Sequence, residues 1–508
     1  MARWFHDRTA QQGIPSVSLR RLLPEARFVG CEDFEVSGCT ADSRRLDPGQ
    51  VFVAVRGERF DGHAFVAQAL DRGAAGVVVE QDCPEAGRFQ VVVPDSRSAL
   101  ARLCQALAGD PSESLLTLGV TGAAGSTVAA LLLRAIFEAA GGRFGLVSRL
   151  GWSDGRGARP IGAAATGTEG LAMMLAAMVD AGCAGAVLEL GHEALERRRI
   201  GGVEFDAAVV TDLGGAPALA PEAVIARRST AARLVRQVVP GGAVVVDVDA
   251  PQDELLGAVN LDARRVTFGL TRPSDVSARI IRLDRSGTRF RLRGFDREAV
   301  VTLRLPGAST LRHALAAAAA AWARGVACDA VVAGLETVSE VPGRLEPIDE
   351  GQPFDVRIDG ARQGAELQEV LKALRSITPA SGRVHCVFGA EGTRTHGRAE
   401  RHSLAAAAEA LADRVILTTD NPRTEDPSAI VDDLLDGFCS PGLVQLEPDR
   451  ARAIEAALAD ARPGDAVLIA GKGRQTYQIF ADHAEPFDDA EVVRRYLRHG
   501  RPGAKRSA

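Results

Sequence analysis

Strands alternating with helices predict an α/β protein of three domains built on mostly parallel, wound sheets. Three observations carry this. The chain has 508 residues, which suits three domains at about 150 residues each. Short apolar β-type runs recur along it with helical stretches between them. A glycine-rich turn joins one such run to a helix, the junction at which wound α/β folds hold phosphate. Hydrophobic residues make up 46% and charged residues 25% of the chain, which suits packed soluble domains. That composition excludes a disordered chain, a collagen-like fibre and a coiled coil.

The first domain is expected over residues 1–110. It has β-type runs at Val51 to Val55, Val77 to Glu80 and Val91 to Val93, and helical stretches at Ala64 to Arg72 and Ser98 to Ala108. Asp110-Pro111-Ser112 reads as a linker. The second domain, residues 111–342, opens on the run Leu115 to Val120 and continues through Ala184 to Leu190 and Ala207 to Thr211. The alanine-rich stretch Leu315 to Ala323 reads as a packed core helix. Val341-Pro342-Gly343-Arg344 breaks the chain before a third domain, residues 343–508. Its buried strands are expected at Phe354 to Ile358, Val384 to Phe388, Val415 to Thr419 and Ala466 to Ala470. The polar tail from Arg501 is expected to be mobile.

Several functions are disfavoured at this level. No stretch approaches the ~18 uninterrupted apolar residues of a membrane span. Met1 to Ala10 carries charges and no apolar h-region, so no secretory signal is expected. A net charge of -6 argues against nucleic acid as a partner. The cysteines (Cys31, Cys39, Cys83, Cys104, Cys183, Cys328, Cys386, Cys439) are scattered without a CxxC pair. They read as buried cytosolic thiols, not as a disulfide framework or zinc site. Lysine occurs only at Lys372, Lys472 and Lys505. Arginine, which carries nearly all the positive charge, cannot replace lysine where a compact ammonium is required.

The turn Gly119-Val120-Thr121-Gly122-Ala123-Ala124-Gly125-Ser126-Thr127 is close to the phosphate-loop pattern GxxxxGK[ST], with five residues instead of four between Gly119 and Gly125 and with Ser126 in the lysine position. The pattern needs lysine there to neutralise the β- and γ-phosphates. Its absence removes a charge-assisted contact of about 1.5–3 kcal/mol from ground-state binding. A transition state that accumulates phosphoryl charge loses more. Thr127 remains as a metal-ligand candidate.

At this point the sequence resembles the Mur ligase family over nearly its whole length, and most of all the branch that adds meso-diaminopimelate to UDP-N-acetylmuramoyl-L-alanyl-D-glutamate. Asp42-Ser43-Arg44, Pro48 to Ala54 and Asp61-Gly62-His63 match the UDP-sugar domain. The turn before Thr127 matches the family's GTNGKT. Val341 to Glu346 matches the start of its C-terminal domain. Asp420-Asn421-Pro422-Arg423 matches the motif of diaminopimelate users, and Ala470-Gly471-Lys472-Gly473 with Tyr477-Gln478 the last signature.

The resemblance implies a three-domain architecture: a UDP-binding α/β domain, a central phosphate-loop ATPase-like domain and a Rossmann-like C-terminal domain. It also implies ATP- and magnesium-dependent joining of a carboxylate to an amine. The residues of that chemistry depart from the family repeatedly. Ser126 replaces the lysine. Glu189-Leu190-Gly191-His192-Glu193 keeps only the Glu of a Glu-x-Ser-Ser-His stretch. Thr211 to Pro217 lacks its Asp-His pair. Arg233 falls where a carbamylated lysine holds magnesium. Gly307 to His313 lacks both nucleotide asparagines, and Asp359 to Gly364 departs from Asp-Tyr-Ala-His-x-Pro.

The resemblance therefore leaves a vestigial phosphate turn at Gly122, Gly125, Ser126 and Thr127, with Thr127 and Glu189 as vestigial metal ligands. Ser126, Arg233 and Glu193 mark degenerate catalytic positions. Ser43 and His63 are expected at UDP-substrate, and Arg394, Asn421, Arg423, Gly471 and Gln475 at diaminopimelate. His192 and Glu193 are adjacent and do not converge on one atom, so no hydrolytic site is expected there. The run Glu196 to Arg199 reads as a solvated face.

The expected function is that of a cytoplasmic family member in peptidoglycan precursor metabolism that has lost ligation and acts by binding. Its expected partners are UDP-muramyl peptide, diaminopimelate, or an active Mur ligase or other wall-synthesis protein. No cofactor is expected. One alternative is an active ligase using ATP and magnesium, with Arg228 or Arg233 as replacement cation near Ser126. The other is a scaffold without small ligands.

Overall fold

The computed structural model describes residues 16–57, 60–84, 89–161, 167–213, 221–250, 259, 262–392 and 397–499. Three sheets organise them. The first contains β1 (Arg27–Val29), β2 (Cys39–Thr40), β3 (Val51–Val53), β4 (Gly76–Val79) and β5 (Gln90–Val92) in the order β1-β5-β4-β3-β2. Only the β1–β5 pair is antiparallel. Val51, Phe52 and Val53 are all buried, as a parallel strand covered on both faces requires. α1 (Val66–Asp71) and α2 (Ser96–Leu107) pack on it. Asp95 caps α2 by accepting from the Ser98 N–H at 2.8 Å.

Asp110–Ser112, expected as a linker, is folded instead. Pro111–Ser114 form a 3₁₀ turn with Pro111 and Ser112 buried. The Ser112 hydroxyl accepts from the Glu204 backbone at 3.2 Å, which ties the segment to the next domain.

The second sheet is the largest. Its strands are β6 (Leu116–Thr121), β7 (Phe144–Ser148), β8 (Gly151–Ser153), β9 (Ala158–Arg159), β10 (Gly185–Glu189), β11 (Phe205–Val210), β12 (Val238–Asp247), β13 (Arg264–Gly269), β14 (Val276–Asp284), β15 (Gly287–Gly294) and β16 (Arg297–Leu303). They lie in the order β9-β8-β7-β10-β6-β11-β12-β13-β14-β15-β16. From β7 to β14 the pairing is parallel. α3 (Ser126–Ala139), α7 (Ala308–Ala323) and α8 (Cys328–Thr337) cover one face. α4 (Thr168–Asp180), α5 (His192–Glu196) and α6 (Pro221–Val235) cover the other. In α7 every residue from Ala314 to Ala321 is buried, as the alanine run predicts.

The antiparallel strands β14–β16 depart from the expected wound pattern. Arg289, Arg291 and Arg293 face solvent while Phe290 and Leu292 enter the core. That two-residue alternation is a half-buried strand written in arginine.

The third sheet contains β17 (Glu346–Pro347), β18 (Asp355–Asp359), β19 (Val384–Phe388), β20 (Arg414–Leu417), β21 (Val444–Leu446) and β22 (Ala466–Ala470), in the order β17-β18-β22-β19-β20-β21. Only β17 pairs antiparallel. α9 (Gly364–Ile377), α10 (Arg398–Leu411), α11 (Pro427–Leu435), α12 (Arg450–Asp460) and α13 (Asp489–His499) surround it, with a small hairpin of β23 (Tyr477–Ile479) and β24 (Ala484–Pro486). Val341–Arg344 forms the tight bridged turn before this sheet.

Not every cysteine is buried as expected. Cys83, Cys104, Cys183 and Cys386 are, Cys31, Cys39 and Cys328 are half-buried, and Cys439 is exposed. The tail from Arg501 lies outside the described residues.

Candidate functional site

Strand β6 delivers the chain into the turn Gly122–Gly125, and parallel pairing sets Glu189, the last residue of β10, beside Val120. Both glycines are demanded by space. A Cβ at Gly122 would stand 2.0 Å from the Thr211 hydroxyl, and one at Gly125, whose φ is +76°, 1.8 Å from His313 Nε2. α3 begins with both hydroxyls turned inward. Glu189 Oε1 accepts from Ser126 Oγ at 2.9 Å and from Thr127 Oγ1 at 2.7 Å.

The same carboxylate is held by Arg149, which follows β7. Arg149 Nε donates to Oε1 at 3.1 Å and its backbone N–H to Oε2 at 3.0 Å. Burial alone would raise Glu189, but the Arg149 charge and these hydrogen bonds outweigh it and hold the carboxyl below its ordinary value. Burial opposes the Arg149 charge in turn, yet Glu189 and Glu366 keep the guanidinium above its usual value.

Above the turn lies an open cleft between α3, the start of α7 and the C-terminal domain. Much of its wall is apolar, including Val128, Leu305, Val341 and Val370. His313 faces the turn with its Nδ1 buried and unpartnered. Burial, with the charges of Arg312 and Arg344, pushes it down to about 3, so it is a neutral imidazole at pH 7. The cleft's arginines are already paired. Arg149 bridges Glu189 and Glu366, and Arg344 lies 3.5 Å from Asp359.

These residues do not fit magnesium nucleotide. Glu189 Oε1 already accepts three donors, one of them a guanidinium that stands where a divalent ion would be repelled. No lysine or unpaired arginine among the described lining residues meets a phosphate.

The other degenerate positions lie apart. Arg233 turns away from Ser126 and donates to the carbonyls of Leu195 (3.0 Å) and Glu196 (2.7 Å), closing the C-terminus of α5. It therefore does not supply the cation missing at the turn, a role the alternative reading gave to Arg228 or Arg233. Glu193 is an exposed partner of Arg199 and Arg197. In the N-terminal domain Ser43 is buried and donates to Gln68 at 2.7 Å. His63 Nε2 accepts from the Glu80 backbone at 2.9 Å, leaving Nδ1 to donate to Asp61 at 2.6 Å. Both expected UDP-domain residues thus hold internal bonds.

The C-terminal residues converge at the ends of β19, β20 and β22. Asn421 is fully buried; its Nδ2 donates to Gln475 Oε1 at 2.9 Å and to Glu391 Oε1 at 3.1 Å. Its Oδ1 accepts from Lys472 Nζ at 3.1 Å and from the Ile479 backbone at 3.0 Å. Lys472 also donates to the Tyr477 carbonyl at 2.6 Å and lies 3.7 Å from Asp420. Burial pushes Lys472 down, against the pull of Asp420, and pushes Asp420 up, against Arg450 and Lys472.

Gly471, at φ +111°, lets the backbone pass Asp420; a Cβ there would stand 2.6 Å from Oδ2. Arg423, at φ +53°, extends to the rim, 3.8 Å from Glu391 and with its Nε unpartnered. Arg394 lies outside the described residues.

Sequence reasoning missed Arg149, Glu366, Glu391 and the role of Arg362. Arg149 did carry a signal, since it follows a buried strand at the carboxyl edge where wound sheets gather ligands. Glu366 and Arg362 carry none without the fold.

A glycine turn on a wound sheet, with a second wound domain closing over it, defines a multidomain α/β protein of the phosphate-turn class. Family models match it along the chain: the Mur ligase family catalytic domain over residues 35–107, the Mur ligase middle domain over 120–321, and the Mur ligase glutamate ligase domain over 343–473. UDP-N-acetylmuramyl-tripeptide synthetase of Roseiflexus sp. (strain RS-1) is 36% identical, covering 91% of this chain and 94% of that protein. UDP-N-acetylmuramoyl-L-alanyl-D-glutamate--2,6-diaminopimelate ligase of Solibacter usitatus is 35% identical over 96% of this chain and 97% of its own length.

A solved structure of a UDP-N-acetylmuramoyl-L-alanyl-D-glutamate--2,6-diaminopimelate ligase superposes with a TM-score of 0.66 at 26% identity, over 95% of this chain and 99% of that one. Folylpolyglutamate synthase of Mycobacterium tuberculosis, solved with ADP and AMPPCP, shares the fold at TM-score 0.59 and 22% identity, over 79% of this chain and 95% of that one. The chain belongs to the Mur ligase family and has its three-domain architecture. Among the described residues no helix is long and apolar enough to cross a membrane.

Proposed function

We propose that this protein serves peptidoglycan precursor metabolism by binding, having given up ATP-dependent amide-bond formation. Its ligands are UDP-muramyl peptide or diaminopimelate, or its partner is an active ligase of the same family. The observation that carries this reading is the phosphate turn, where Ser126 replaces the lysine and donates its hydroxyl to Glu189 at 2.9 Å. Making an acyl phosphate requires cations gathered around a transferring phosphoryl group, and this turn contributes none. The C-terminal cluster supports a binding role, because Arg423 holds a guanidinium at its rim that suits a carboxylate.

A mass-detected ligation assay tests the reading. It combines the full chain with UDP-N-acetylmuramoyl-L-alanyl-D-glutamate, meso-diaminopimelate, ATP and magnesium, with an authentic ligase as positive control. No tripeptide product is expected while the control turns over. Product above contaminant level, lost in Arg423→Ala, would show an active ligase with a rebuilt site.

A further inference from the structure

The bonds around Arg149 extend beyond the phosphate turn. Its guanidinium donates to Glu189 Oε1 at 3.1 Å and, on its other side, to Glu366 Oε1 at 3.4 Å. Glu189 ends a strand of the central sheet, and Glu366 stands in the first turn of α9 in the C-terminal domain. Both side chains are nearly closed to solvent, at 2% and 9% exposure. Glu366 Oε2 accepts from the Arg362 backbone at 3.0 Å. The Arg362 side chain donates to the Gly471 carbonyl at 2.9 Å and lies 3.3 Å from Glu391, the acceptor of Asn421. One polar chain thus runs from the hydroxyls of Ser126 and Thr127 to the C-terminal cluster around Asn421, and Arg149 is its joint between domains.

We propose that Arg149 is a resident cation: it occupies the place a divalent metal would need between the carboxylates of Glu189 and Glu366, and joins the phosphate turn to the C-terminal domain without metal or nucleotide. The donor set supports this. Carboxylates are the hard oxygen ligands that divalent ions take, and here two of them meet one guanidinium. A planar, permanently charged group with several donors satisfies two carboxylates at once. The cluster around Asn421 and Arg423 then takes its ligand in a protein whose domains are already bridged. This inference deepens the binding role proposed above and rests on it only for that last consequence.

Manganese titration of the full chain at pH 8, read by electron paramagnetic resonance, tests it without any turnover. Wild type is expected to hold no manganese that depends on Glu189. Arg149→Met, which keeps the stem and removes the charge, is expected to bind one manganese per chain at least tenfold more tightly than wild type. Arg149→Met with Glu189→Gln is expected to lose that site, and Arg149→Lys to stay metal-free. Circular dichroism and thermal unfolding of each variant establish that it is folded.

Glu189-dependent manganese binding by wild type would overturn the proposal, as would a folded Arg149→Met chain that binds none. Should that variant not fold, Arg149→Gln, which keeps donors toward both carboxylates, takes its place with the same expected and contradicting results. Ligation by wild type would overturn the proposed function instead, so the two failures are distinguishable.

Discussion

The phosphate turn and the C-terminal cluster around Asn421 are both built at the carboxyl ends of parallel strands, yet they use their polar groups oppositely. At the turn the charged groups face one another: two hydroxyls and a guanidinium meet Glu189, and Arg344 meets Asp359, while the neutral His313 keeps its Nδ1 unpartnered. At the cluster Asn421 and Lys472 bond each other and their neighbours, but both Asp420 oxygens are buried without a hydrogen-bond partner and Arg423 stands at the rim with its Nε unpartnered. A site satisfied internally resists an incoming charged ligand, because the ligand must displace bonds already made. A site that keeps a buried carboxylate and a rim guanidinium nitrogen without hydrogen-bond partners retains polar groups that a ligand can meet.

Four substitutions break or sharpen this contrast. Lys472→Met should have the largest effect, since it leaves Asp420 buried beside no ammonium; chemical denaturation should show a loss of about 3–5 kcal/mol. Arg149→Met should cost about 1.5–3 kcal/mol by the same measurement, because Glu189 loses its charged donor but opens to the cleft.

His313 gives a pH signature. The folded imidazole takes no proton until about pH 3, whereas its ordinary value is 6.5. Between these values the unfolded chain binds more protons, so stability falls as pH drops through the window. The slope is at most about 1.4 kcal/mol per pH unit. His313→Asn should flatten it in unfolding midpoints measured from pH 7 to pH 4.

Arg423→Ala should be the mildest for the fold, costing under about 1 kcal/mol as a half-exposed pair. In calorimetric titration it should nonetheless weaken meso-diaminopimelate binding at least tenfold. An unchanged affinity would mean that the rim is not where the carboxylate sits.

Much of the architecture was legible in the sequence. The apolar runs at Val384 to Phe388 and Ala466 to Ala470 became strands with those bounds, because a buried parallel strand is apolar on both faces. Val276 to Leu303 was not legible, since alternating arginine hides the apolar half of the pattern. Asp110–Ser112 had linker composition, and only its burial against the second domain shows it to be folded. At the site, Ser126 and Glu189 were readable as motif positions. Their mutual hydrogen bond was not, and neither was the link from Arg149 to Glu366 across 217 positions. Arg233 was misplaced because the turn of α6 aims it at the carbonyls of α5.

Calorimetric titration of the full chain with ATP, in magnesium and again in EDTA, tests most directly whether the phosphate turn is closed on itself. The account predicts no magnesium-dependent binding heat under conditions in which an authentic ligase binds. Tight, magnesium-dependent ATP binding would contradict it.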